Sequence, residues 1–466
     1  MSSTPVAALP ALLARLREAH RAGPPTLRER LARLGELRAR LASGLEELCA
    51  VIAADFGRRS RHETLLADGM TVLDEIDHAL ARLPRWTRPR RVSPGWKLWP
   101  ARARLMPQPL GVVGILSPWN YPVNLSLIPV VAAWAAGNHV LLKPSERAPR
   151  TAAWLGALLA RVFPPERVSV VEGDAELARA FVRLPFDHLF FTGATAIGRE
   201  VMRAAAENLV PVTLELGGKS PALIAPGYPL AHAAERIAAG KCFNAGQTCI
   251  APDYALLPED AVEPFAEAFA AVIARRYPQG AASPDYTAII DERHYRRLSD
   301  WLDEARSAGA RVWQAFAPDA AGRIFPPTLV FDPPPGIRLS CEEIFGPILP
   351  LLPYRDLDQA IAHVLAGERP LALYAFDRDR RRLGELLART HAGGVTVNDT
   401  MLHVASPRLP FGGIGASGMG SYHGEAGFRA FSHFKPVLAP ARLHPARWLV
   451  PPYRGLAARL IRLLVR

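Results

Sequence analysis

Residues 110–143 read LGVVGILSPWNYPVNLSLIPVVAAWAAGNHVLLK, and this stretch decides the fold. Two short apolar runs begin and end it, and between them the pattern predicts a helix through Pro129 to Gly137. Three further apolar runs continue the alternation: 168–171, 187–191 and 212–216. Alternating strands and helices are typical of a doubly wound parallel sheet, whose strand ends open onto a ligand crevice. The sequence therefore predicts an α/β fold with a nucleotide site at that crevice.

The second half of the chain repeats this rhythm. Helices are predicted at 229–240, 262–277 and 294–308, and strands near Phe331, Ile348 and Val395. The run 410–420 holds five glycines, which favours a loop where backbones approach closely over a packed element. A second doubly wound sheet is therefore expected after the first.

Before residue 110 the pattern is first helical and then extended. Thr26-Leu27-Arg28-Glu29 has the form of a capping box and predicts a long amphipathic helix that continues to Asp55. A second helix is predicted from Glu63 to Leu83, ending before Pro84. Residues 91–109 are rich in proline, tryptophan and alternating residues. This composition predicts extended strands that project from the main body as an arm.

Composition and charge narrow the class of protein. The chain has 466 residues, 49% of them hydrophobic, which is enough for two or three domains with their own cores. Its four cysteines are too few and too scattered for a disulfide framework, so we expect a reducing, cytoplasmic setting. The formal charge of +12 reflects a general arginine bias rather than a basic groove, so no nucleic-acid partner is expected. The thirteen histidines show no ligand spacing, and no metal is expected.

The segment from Phe243 to Asp253 reads FNAGQTCIAPD and has one thiol at its centre. Cys249 follows Gly246-Gln247-Thr248, which predicts a tight, accessible loop where a small substrate can reach a thiolate. The alternative is a buried structural cysteine, the usual state of an isolated cysteine in a long intracellular chain. Cys242 and Cys341 have no motif partner and are expected to be small core residues.

Three other segments decide between these alternatives: PWNYP at 118–122, LELGGKSP at 214–221 and EEIFGP at 342–347. Together with the cysteine loop, and in this order, they resemble the aldehyde dehydrogenase superfamily. The resemblance covers the chain from about Phe56 to Lys435. The stretches at 55–68 and 418–433 are most similar to the short class-three branch, especially to its coniferyl aldehyde dehydrogenases.

The resemblance implies an aldehyde dehydrogenase-like fold, with two doubly wound parallel-sheet domains and a β-strand oligomerisation arm. The NAD(P)-binding domain would take residues 1–90 and 110–213, and the catalytic domain residues 214–420. The arm would take residues 91–109 and 421–440. Because the family uses such an arm to pair with a partner's sheet, a homodimer is expected.

The resemblance also implies three catalytic residues. Cys249 would attack the aldehyde carbon as the thiolate, and the Asn120 amide with the Cys249 backbone N–H would stabilise the oxyanion. Glu215 would activate the water that hydrolyses the thioester, because burial at a strand end raises its pKa towards the working range. From the pentapeptide alone, Asn120 has the alternative of a turn residue between two prolines.

The predicted reaction is the NAD(P)-dependent oxidation of an aldehyde to a free carboxylic acid. One alternative is a CoA-acylating relative, against which Glu215 argues because that path needs no activated water. Another is a basic peripheral membrane or scaffolding protein with an inactive site. Intact Cys249, Asn120 and Glu215 argue against that alternative.

Seven cofactor-binding residues are carried over from the resemblance: Lys143, Glu146, Thr192, Gly193, Gly198, Glu343 and Phe345. Lys143 and Glu146 match the residues that hold the adenosine ribose, and Glu343 and Phe345 those on the nicotinamide side. A carboxylate against the ribose diol repels a 2′-phosphate, which favours NAD, with NADP as a second cofactor. The alternative for Lys143 and Glu146 is a solvated surface pair after a strand.

Three aromatic residues flank the motifs that converge on the cysteine: Tyr121, Phe243 and Phe411. We expect them to line a substrate tunnel, which would suit aromatic aldehydes, with coniferyl aldehyde foremost, or medium- and long-chain aldehydes. The alternative for all three is ordinary core packing.

The tail from 441 to 466 is basic and, from Gly455 onwards, amphipathic. Arg459, Arg462 and Arg466 share one side of a helical projection, and leucines gather on another. The segment is too short to span a bilayer. It can dock on the protein or lie on an anionic membrane surface. Docking is favoured, because one short helix without a lipid anchor binds membranes weakly.

Overall fold

The computed structural model of the chain describes residues 3–442 and 448–465. Its strands are β1 (Arg90–Val92), β2 (Arg102–Pro109), β3 (Val112–Leu116), β4 (His139–Lys143), β5 (Val168–Val170), β6 (His188–Thr192), β7 (Val212–Glu215), β8 (Pro221–Ile224), β9 (Tyr254–Pro258), β10 (Arg311–Gln314), β11 (Thr328–Phe331), β12 (Ile348–Tyr354), β13 (Ala372–Phe376), β14 (Gly394–Val397), β15 (Gly418–Met419) and β16 (Ser432–Ala439). Its α-helices are α1 (Leu9–Ala22), α2 (Leu27–Ser43), α3 (Leu45–Phe56), α4 (Arg61–Thr64), α5 (Thr71–Trp86), α6 (Asn124–Ala136), α7 (Pro149–Val162), α8 (Ala175–Val182), α9 (Thr195–Ala206), α10 (Leu230–Cys242), α11 (Val262–Arg276), α12 (Glu292–Ser307), α13 (Arg338–Cys341), α14 (Leu357–Ala366), α15 (Arg380–Arg389), α16 (Gly424–Ala430) and α17 (Leu456–Val465).

Three sheets organise the described residues. The first has the strand order β15-β7-β6-β3-β4-β5 and is parallel except for β15. The second has the order β10-β11-β12-β9-β8-β13-β14 and is parallel except for β10. The third, β1-β2-β16, is antiparallel. The two parallel sheets confirm the predicted α/β fold class.

The apolar stretch at 110–143 folds as a buried core. β3 and β4 are buried along their whole length, as expected for parallel strands covered on both faces. Every residue of α6 after Asn124 is also buried. The helix begins at Asn124, earlier than predicted, and Pro129 lies inside it. Because α6 is surrounded by protein on all sides, its apolar run has no polar face to mark its start.

The N-terminal helices differ from their predicted bounds. Thr26 caps α2 as predicted, since its side chain accepts a hydrogen bond from the backbone N–H of Glu29. The single helix predicted to reach Asp55 is wrong, because Gly44 separates α2 from α3. The predicted stop before Pro84 is also wrong, because Pro84 lies within the last turn of α5. So close to a helix end, its missing N–H removes one hydrogen bond without breaking the helix.

The predicted arm consists of strands, as its composition indicated. β2 pairs with β16 over eight residues, from Pro109 opposite Ser432 to Arg102 opposite Ala439. The connection between β1 and β2 leaves two large aromatic side chains exposed, Trp96 at 67% and Trp99 at 73%. The arm therefore carries apolar surface that the other residues described by the structure leave uncovered.

The glycine-rich run 410–420 contains a strand that its composition did not predict. β15 pairs antiparallel with the end of β7, and the backbone N–H of Leu216 donates to the Ser417 carbonyl at 3.0 Å. The predicted close approach is present, since a Cβ on Gly418 would lie 2.2 Å from the Leu214 carbonyl oxygen. The run thus closes the edge of the first sheet beside Glu215.

The tail forms α17, which contacts the arm. The Lys97 ammonium donates to the Leu464 carbonyl at 2.5 Å, and Ala457 is buried. Leu456 and Leu463 are exposed. Residues 443–447 and Arg466 of the predicted tail lie outside the described residues. Within the part of the chain that the structure describes, no helix is long and apolar enough to cross a membrane.

Candidate active site

The carboxyl ends of adjacent strands bring the predicted catalytic residues to one edge of the first sheet. β3 lies beside β6, and β6 beside β7. Asn120 follows β3, Thr192 ends β6, and Glu215 ends β7 directly opposite Thr192. In open parallel sheets this edge holds the ligand crevice. The fold therefore explains why residues far apart in sequence converge here.

The turn before Cys249 has an uncommon backbone. Asn244, Ala245 and Gly246 are consecutive residues with positive φ, at 53°, 50° and 71°. A Cβ on Gly246 would lie 2.3 Å from the carbonyl oxygen of Gly346. Only glycine lets the cysteine loop pack directly on the EEIFGP segment, so this position joins two of the motifs in space.

Gln247 fastens the same loop. Its side-chain amide is fully buried and donates to the carbonyls of Asn244 and Ala288, each at 3.0 Å. Its Oε1 accepts from the backbone N–H of Ile290, also at 3.0 Å. A buried amide that satisfies three backbone groups holds the loop in one conformation, which fixes the position of the thiol two residues later.

Asn120 is held against this loop by both its side chain and its backbone. Its Nδ2 donates to the Gln247 carbonyl at 3.2 Å. Its own carbonyl accepts from Arg59 Nη1 at 2.8 Å and from Asn244 Nδ2 at 3.1 Å. The Asn120 amide and the cysteine loop are therefore one connected unit.

Arg59 lies behind this unit and is itself supported. Its side chain is fully buried and forms an ion pair with the equally buried Asp68 at 3.6 Å. Asp68 Oδ1 accepts the backbone N–H groups of Val123 and Asn124, each at 3.0 Å. The guanidinium also lies 5.0 Å from the ring centroid of Tyr121. A buried charge needs such partners to remain ionised.

A cavity of about 240 Å³ opens in front of the cysteine. Seven predicted site residues line it: Asn120, Thr192, Gly193, Glu215, Cys249, Glu343 and Phe345. Thr192 and Gly193 lead into the N-terminus of α9, where free N–H groups favour an anion such as a pyrophosphate. The thiol, the amide, two carboxylates and this turn thus share one small volume.

Burial sets the electrostatics of the cavity. Glu215 is 2% exposed, neither of its carboxylate oxygens has a hydrogen-bond partner, and burial raises its pKa well above the usual value. Burial, with a smaller contribution from the charge of Asp253, raises the pKa of Glu343 to about 8. The pKa of the Cys249 thiol is also raised, first by burial and then by the charges of Glu343 and Glu215. Near neutral pH such carboxylates can accept and return protons, as catalytic bases do.

The other predicted cofactor residues lie outside this cavity. Lys143 ends β4, with its ammonium 3.0 Å from the carboxylate of Glu146. Glu146 lines a separate cavity of about 390 Å³ beside the start of α7. Gly198 lies in the first turn of α9 and packs against the sheet, since a Cβ there would lie 2.5 Å from the Leu216 side chain. Gly198 is thus a packing position rather than part of the cavity wall.

None of the three predicted substrate-lining aromatics is on the wall of the cavity at Cys249. Tyr121 is buried, hydrogen-bonds the Thr248 hydroxyl, and stacks with Phe243 at 6.3 Å between centroids. Phe411 is buried and stacks on His423 at 5.4 Å. Phe411 belongs to the main hydrophobic core, and a tunnel lined by the three aromatic residues stays a prediction.

Three residues that line the cavity had not been assigned a role from the sequence: Trp119, His294 and Arg297. Trp119 packs edge-on against Phe345 at 5.5 Å and against His294 at 5.2 Å. Arg297 donates to the Ile344 carbonyl at 2.7 Å, which anchors the segment that carries Glu343. His294 and Arg297 are one turn apart on α12, a spacing that predicts a shared face but not which face meets the cysteine.

The remaining cysteines do not line the cavity at Cys249. Cys49 and Cys242 are buried, as expected for Cys242. The prediction that Cys341 is a core residue is wrong, because it is exposed at the end of α13. A short helix that begins after a proline-rich loop leaves its last turn at the surface, and the sequence gives no periodicity over so few residues to show it.

A cysteine that shares a cavity with a fixed amide and two carboxylates of raised pKa, at the ligand edge of a doubly wound sheet, fits a thiol-dependent oxidoreductase of the nucleotide-binding α/β class. Comparison with known proteins makes the assignment specific. The aldehyde dehydrogenase family profile matches residues 14–437, and the chain belongs to this family.

Relatives and solved structures agree with that membership. The chain is 48% identical to a probable coniferyl aldehyde dehydrogenase of Pseudomonas aeruginosa, over 98% of this chain and 96% of the relative. It is 44% identical to the coniferyl aldehyde dehydrogenase of a Pseudomonas species, over 94% and 92%. It superposes on the substrate-bound state of Staphylococcus aureus AldH with a TM-score of 0.93, at 35% identity, covering 98% of this chain and 99% of that one. The chain is therefore an aldehyde dehydrogenase that uses a nicotinamide cofactor.

Proposed function

We propose that this aldehyde dehydrogenase oxidises coniferyl aldehyde, or a closely related aromatic aldehyde, to the free carboxylic acid with NAD as the cofactor. The observation that carries the proposal is the buried, unpartnered carboxylate of Glu215 in the same cavity as Cys249. The coniferyl aldehyde dehydrogenases among the relatives support the choice of substrate.

Cys249 is the proposed nucleophile. Its thiol gives its proton to an ionised carboxylate in the cavity, and the sulfur forms a bond to the aldehyde carbon. The carbonyl oxygen takes the negative charge, which the Asn120 Nδ2–H and the Cys249 backbone N–H stabilise by hydrogen bonds. The nicotinamide supplies the hydride acceptor, and the product left on Cys249 is a thioester.

Glu215 is the proposed base for the second half of the reaction. It takes a proton from water, the oxygen attacks the thioester carbon, and the carbon–sulfur bond breaks to release the acid. Cys249 regains a proton at the end of the cycle. A CoA-acylating enzyme would pass the thioester to another thiol and needs no base for water, so a retained Glu215 supports hydrolysis.

The residues present fit a nicotinamide dinucleotide. The turn at Thr192 and Gly193 precedes the free N–H groups of α9, which suit the pyrophosphate. Glu343 and Phe345 line the cavity on the side where the nicotinamide would lie. Glu146 is 44% exposed and would meet the adenosine ribose diol, where its charge disfavours a 2′-phosphate. This carboxylate supports NAD over NADP.

One specificity series tests the proposal. Purified enzyme is assayed with coniferyl aldehyde, decanal and acetaldehyde, each with NAD and with NADP, with and without CoA, and the products are identified by mass spectrometry. We expect coniferyl aldehyde to exceed decanal in kcat/KM by about tenfold or more, with ferulic acid as the product. Formation of a CoA ester, or a preference for acetaldehyde, would contradict it.

We also propose that the chain is a homodimer that pairs through its arm. β16 is an edge strand of eight residues, and an unpaired edge of that length is a template for another strand. The exposed Trp96 and Trp99 add apolar surface next to it. Sedimentation velocity at micromolar concentration tests this, and a monomer would contradict it.

A further inference from the structure

A second cavity lies outside the active site, between the later turns of α5, the loop 407–410 and α16. It encloses about 450 Å³ and shares no lining residue with the cavity at Cys249. We call it the arginine cavity, because four arginines line it: Arg82, Arg85, Arg408 and Arg429. Its position makes it accessible when the active site is occupied.

The arginine cavity carries an excess of positive charge. Four guanidinium groups face one carboxylate, Glu425, whose partner is Arg429 at 3.7 Å. Arg82, Arg85 and Arg408 have no ion pair among the residues that the structure describes. The two nearby imidazoles add no charge, because burial lowers the pKa of both His78 and His423, and the charges of Arg82 and Arg408 lower that of His78 further. Unpaired guanidinium groups that converge on one concave surface suit a carboxylate or phosphate.

A buried aromatic cluster forms another part of the cavity wall. His423 is 4% exposed, lines the arginine cavity, and its Nε2 has no hydrogen-bond partner. Its ring is held by Phe411, stacked at 5.4 Å, and by the edge of Tyr422 at 4.4 Å. The two rings therefore fix this part of the cavity wall beside the arginines.

Part of the cavity wall is apolar. Trp86 is 9% exposed, lines the cavity, and packs between His78 at 5.5 Å and Phe428 at 5.7 Å. Pro407 and Pro410 form part of the opposite wall. A free inorganic ion would leave this apolar surface uncovered, whereas a planar organic body would cover it.

We propose that the arginine cavity binds a small organic anion, with its carboxylate or phosphate held by Arg82 and Arg408 and its planar body against Trp86. The two sources of such an anion are free aromatic acids and phosphorylated aromatic compounds. Cinnamate and phenyl phosphate represent them, and inorganic phosphate represents the charge alone.

Calorimetric titration of the NAD-saturated enzyme with each of the three probes tests the proposal. We expect cinnamate or phenyl phosphate to bind more tightly than inorganic phosphate, with an affinity that falls as salt is added. The double variant Arg82→Gln/Arg408→Gln should weaken that binding at least tenfold and keep its activity on aldehyde. Arg381→Gln, which removes an exposed arginine on α15, should leave binding unchanged.

The three probes distinguish a carboxylate ligand from a phosphate ligand. Tighter binding of cinnamate supports a carboxylate ligand, and tighter binding of phenyl phosphate supports a phosphate ligand. Equal binding to the wild type and the double variant would overturn the proposal, because the probe would then occupy another site. Absence of binding by all three probes would overturn it as well, and inorganic phosphate binding as tightly as the aromatic anions would remove the role of Trp86.

Discussion

The active site has two sides that handle buried charge in opposite ways. On the supporting side, Arg59 and Asp68 are buried together and joined to the backbone around Asn120. On the cavity side, Glu215 is buried and has no hydrogen-bond partner, and Glu343 is half-buried and has one oxygen without a partner. The charges on the supporting side hold the backbone in position, whereas the carboxylates on the cavity side remain able to exchange protons.

The difference follows from what each side must do. A buried ion pair that is also hydrogen-bonded to the backbone holds its neighbours in one arrangement. An unpartnered buried carboxylate has a raised pKa and can exchange a proton near neutral pH. Rigid support behind Asn120 and proton exchange in front of Cys249 are therefore separate tasks, and substitutions at five positions can test whether they are separable.

The largest effect is expected from removing the nucleophile. Cys249→Ala should lower kcat for aldehyde oxidation by about 10⁴-fold or more, because no covalent intermediate can form. Unfolding temperature and NAD binding should stay close to those of the wild type. Cys242→Ala is the matched control, since that cysteine is buried outside the cavity, and oxidation that persisted in Cys249→Ala would disprove the assignment.

The second-largest effect is expected from removing the proposed base on the cavity side. Glu215→Gln should lower steady-state kcat by about 10² to 10⁴-fold, because the amide cannot take a proton from water. A burst of one equivalent of reduced cofactor per active site should remain, since the thioester still forms. Stopped-flow absorbance separates the two phases. A normal steady-state rate in this variant would show that the base is another group.

The supporting side should respond in stability as well as rate. Arg59→Met leaves Asp68 buried without its partner and should reduce the free energy of unfolding by about 3 to 5 kcal/mol. It should also lower kcat, because the Asn120 carbonyl loses a donor. Adding Asp68→Asn should recover much of the stability but not the rate, which urea unfolding and steady-state kinetics would show together.

An exposed ion pair provides the control for the Arg59 and Asp68 variants. Arg61 pairs with Glu46 at the surface, and Arg61→Met should leave the free energy of unfolding close to that of the wild type. If the double variant regained both stability and rate, Arg59 would be a stability residue alone. The two sides of the site would then be independent.

The smallest effect is a pH dependence from Glu343. Its folded-state pKa is raised from 4.5 to about 8, so between those values the folded protein keeps a proton that the unfolded chain releases. Stability from this group is therefore complete below about pH 4.5 and is lost as pH rises towards 8. Glu343→Gln should flatten the fall in unfolding free energy over this range, by up to about 1.4 kcal/mol per pH unit.

Chemical unfolding at pH 5, 6.5 and 8 measures this slope. Glu292→Gln, a change at an exposed carboxylate on α12, should leave the slope as it is in the wild type. An unchanged slope in Glu343→Gln would mean that this carboxylate is already ionised in the folded protein.

Sequence could predict which residues meet at the cavity, because each lies in a short motif: Asn120 and Glu215 at or after the ends of apolar strands, and Cys249 in the turn that follows α10. Cys249, Asn120 and Glu215 were all found this way, and the fold brings them to one cavity. The supporting side could not be assigned. Arg59 lies 61 residues before Asn120 and forms no local pattern with it, so only the folded chain shows that the two are in contact.

Other differences have equally local causes. Aromatic residues such as Tyr121, Phe243 and Phe411 occur both in tunnel walls and in protein cores. Sequence periodicity cannot tell which of these two surroundings a given ring has. Gly44 interrupts a run that is helical on both sides, so the pattern continues across the break. β15 is two residues long, and its pairing depends on β7 rather than on its own composition.

That pairing of β15 sets the order in which the active site can be completed. The strand that ends in Glu215 receives its last neighbour from Gly418 and Met419, about 200 residues later in the chain. During synthesis the first sheet can form most of its strands long before that neighbour leaves the ribosome. Contacts so distant in sequence close late, because the loop between them must first be ordered. A nascent chain that stops before residue 418 would therefore hold most of the first sheet, with Glu215, the proposed base, still on an open edge.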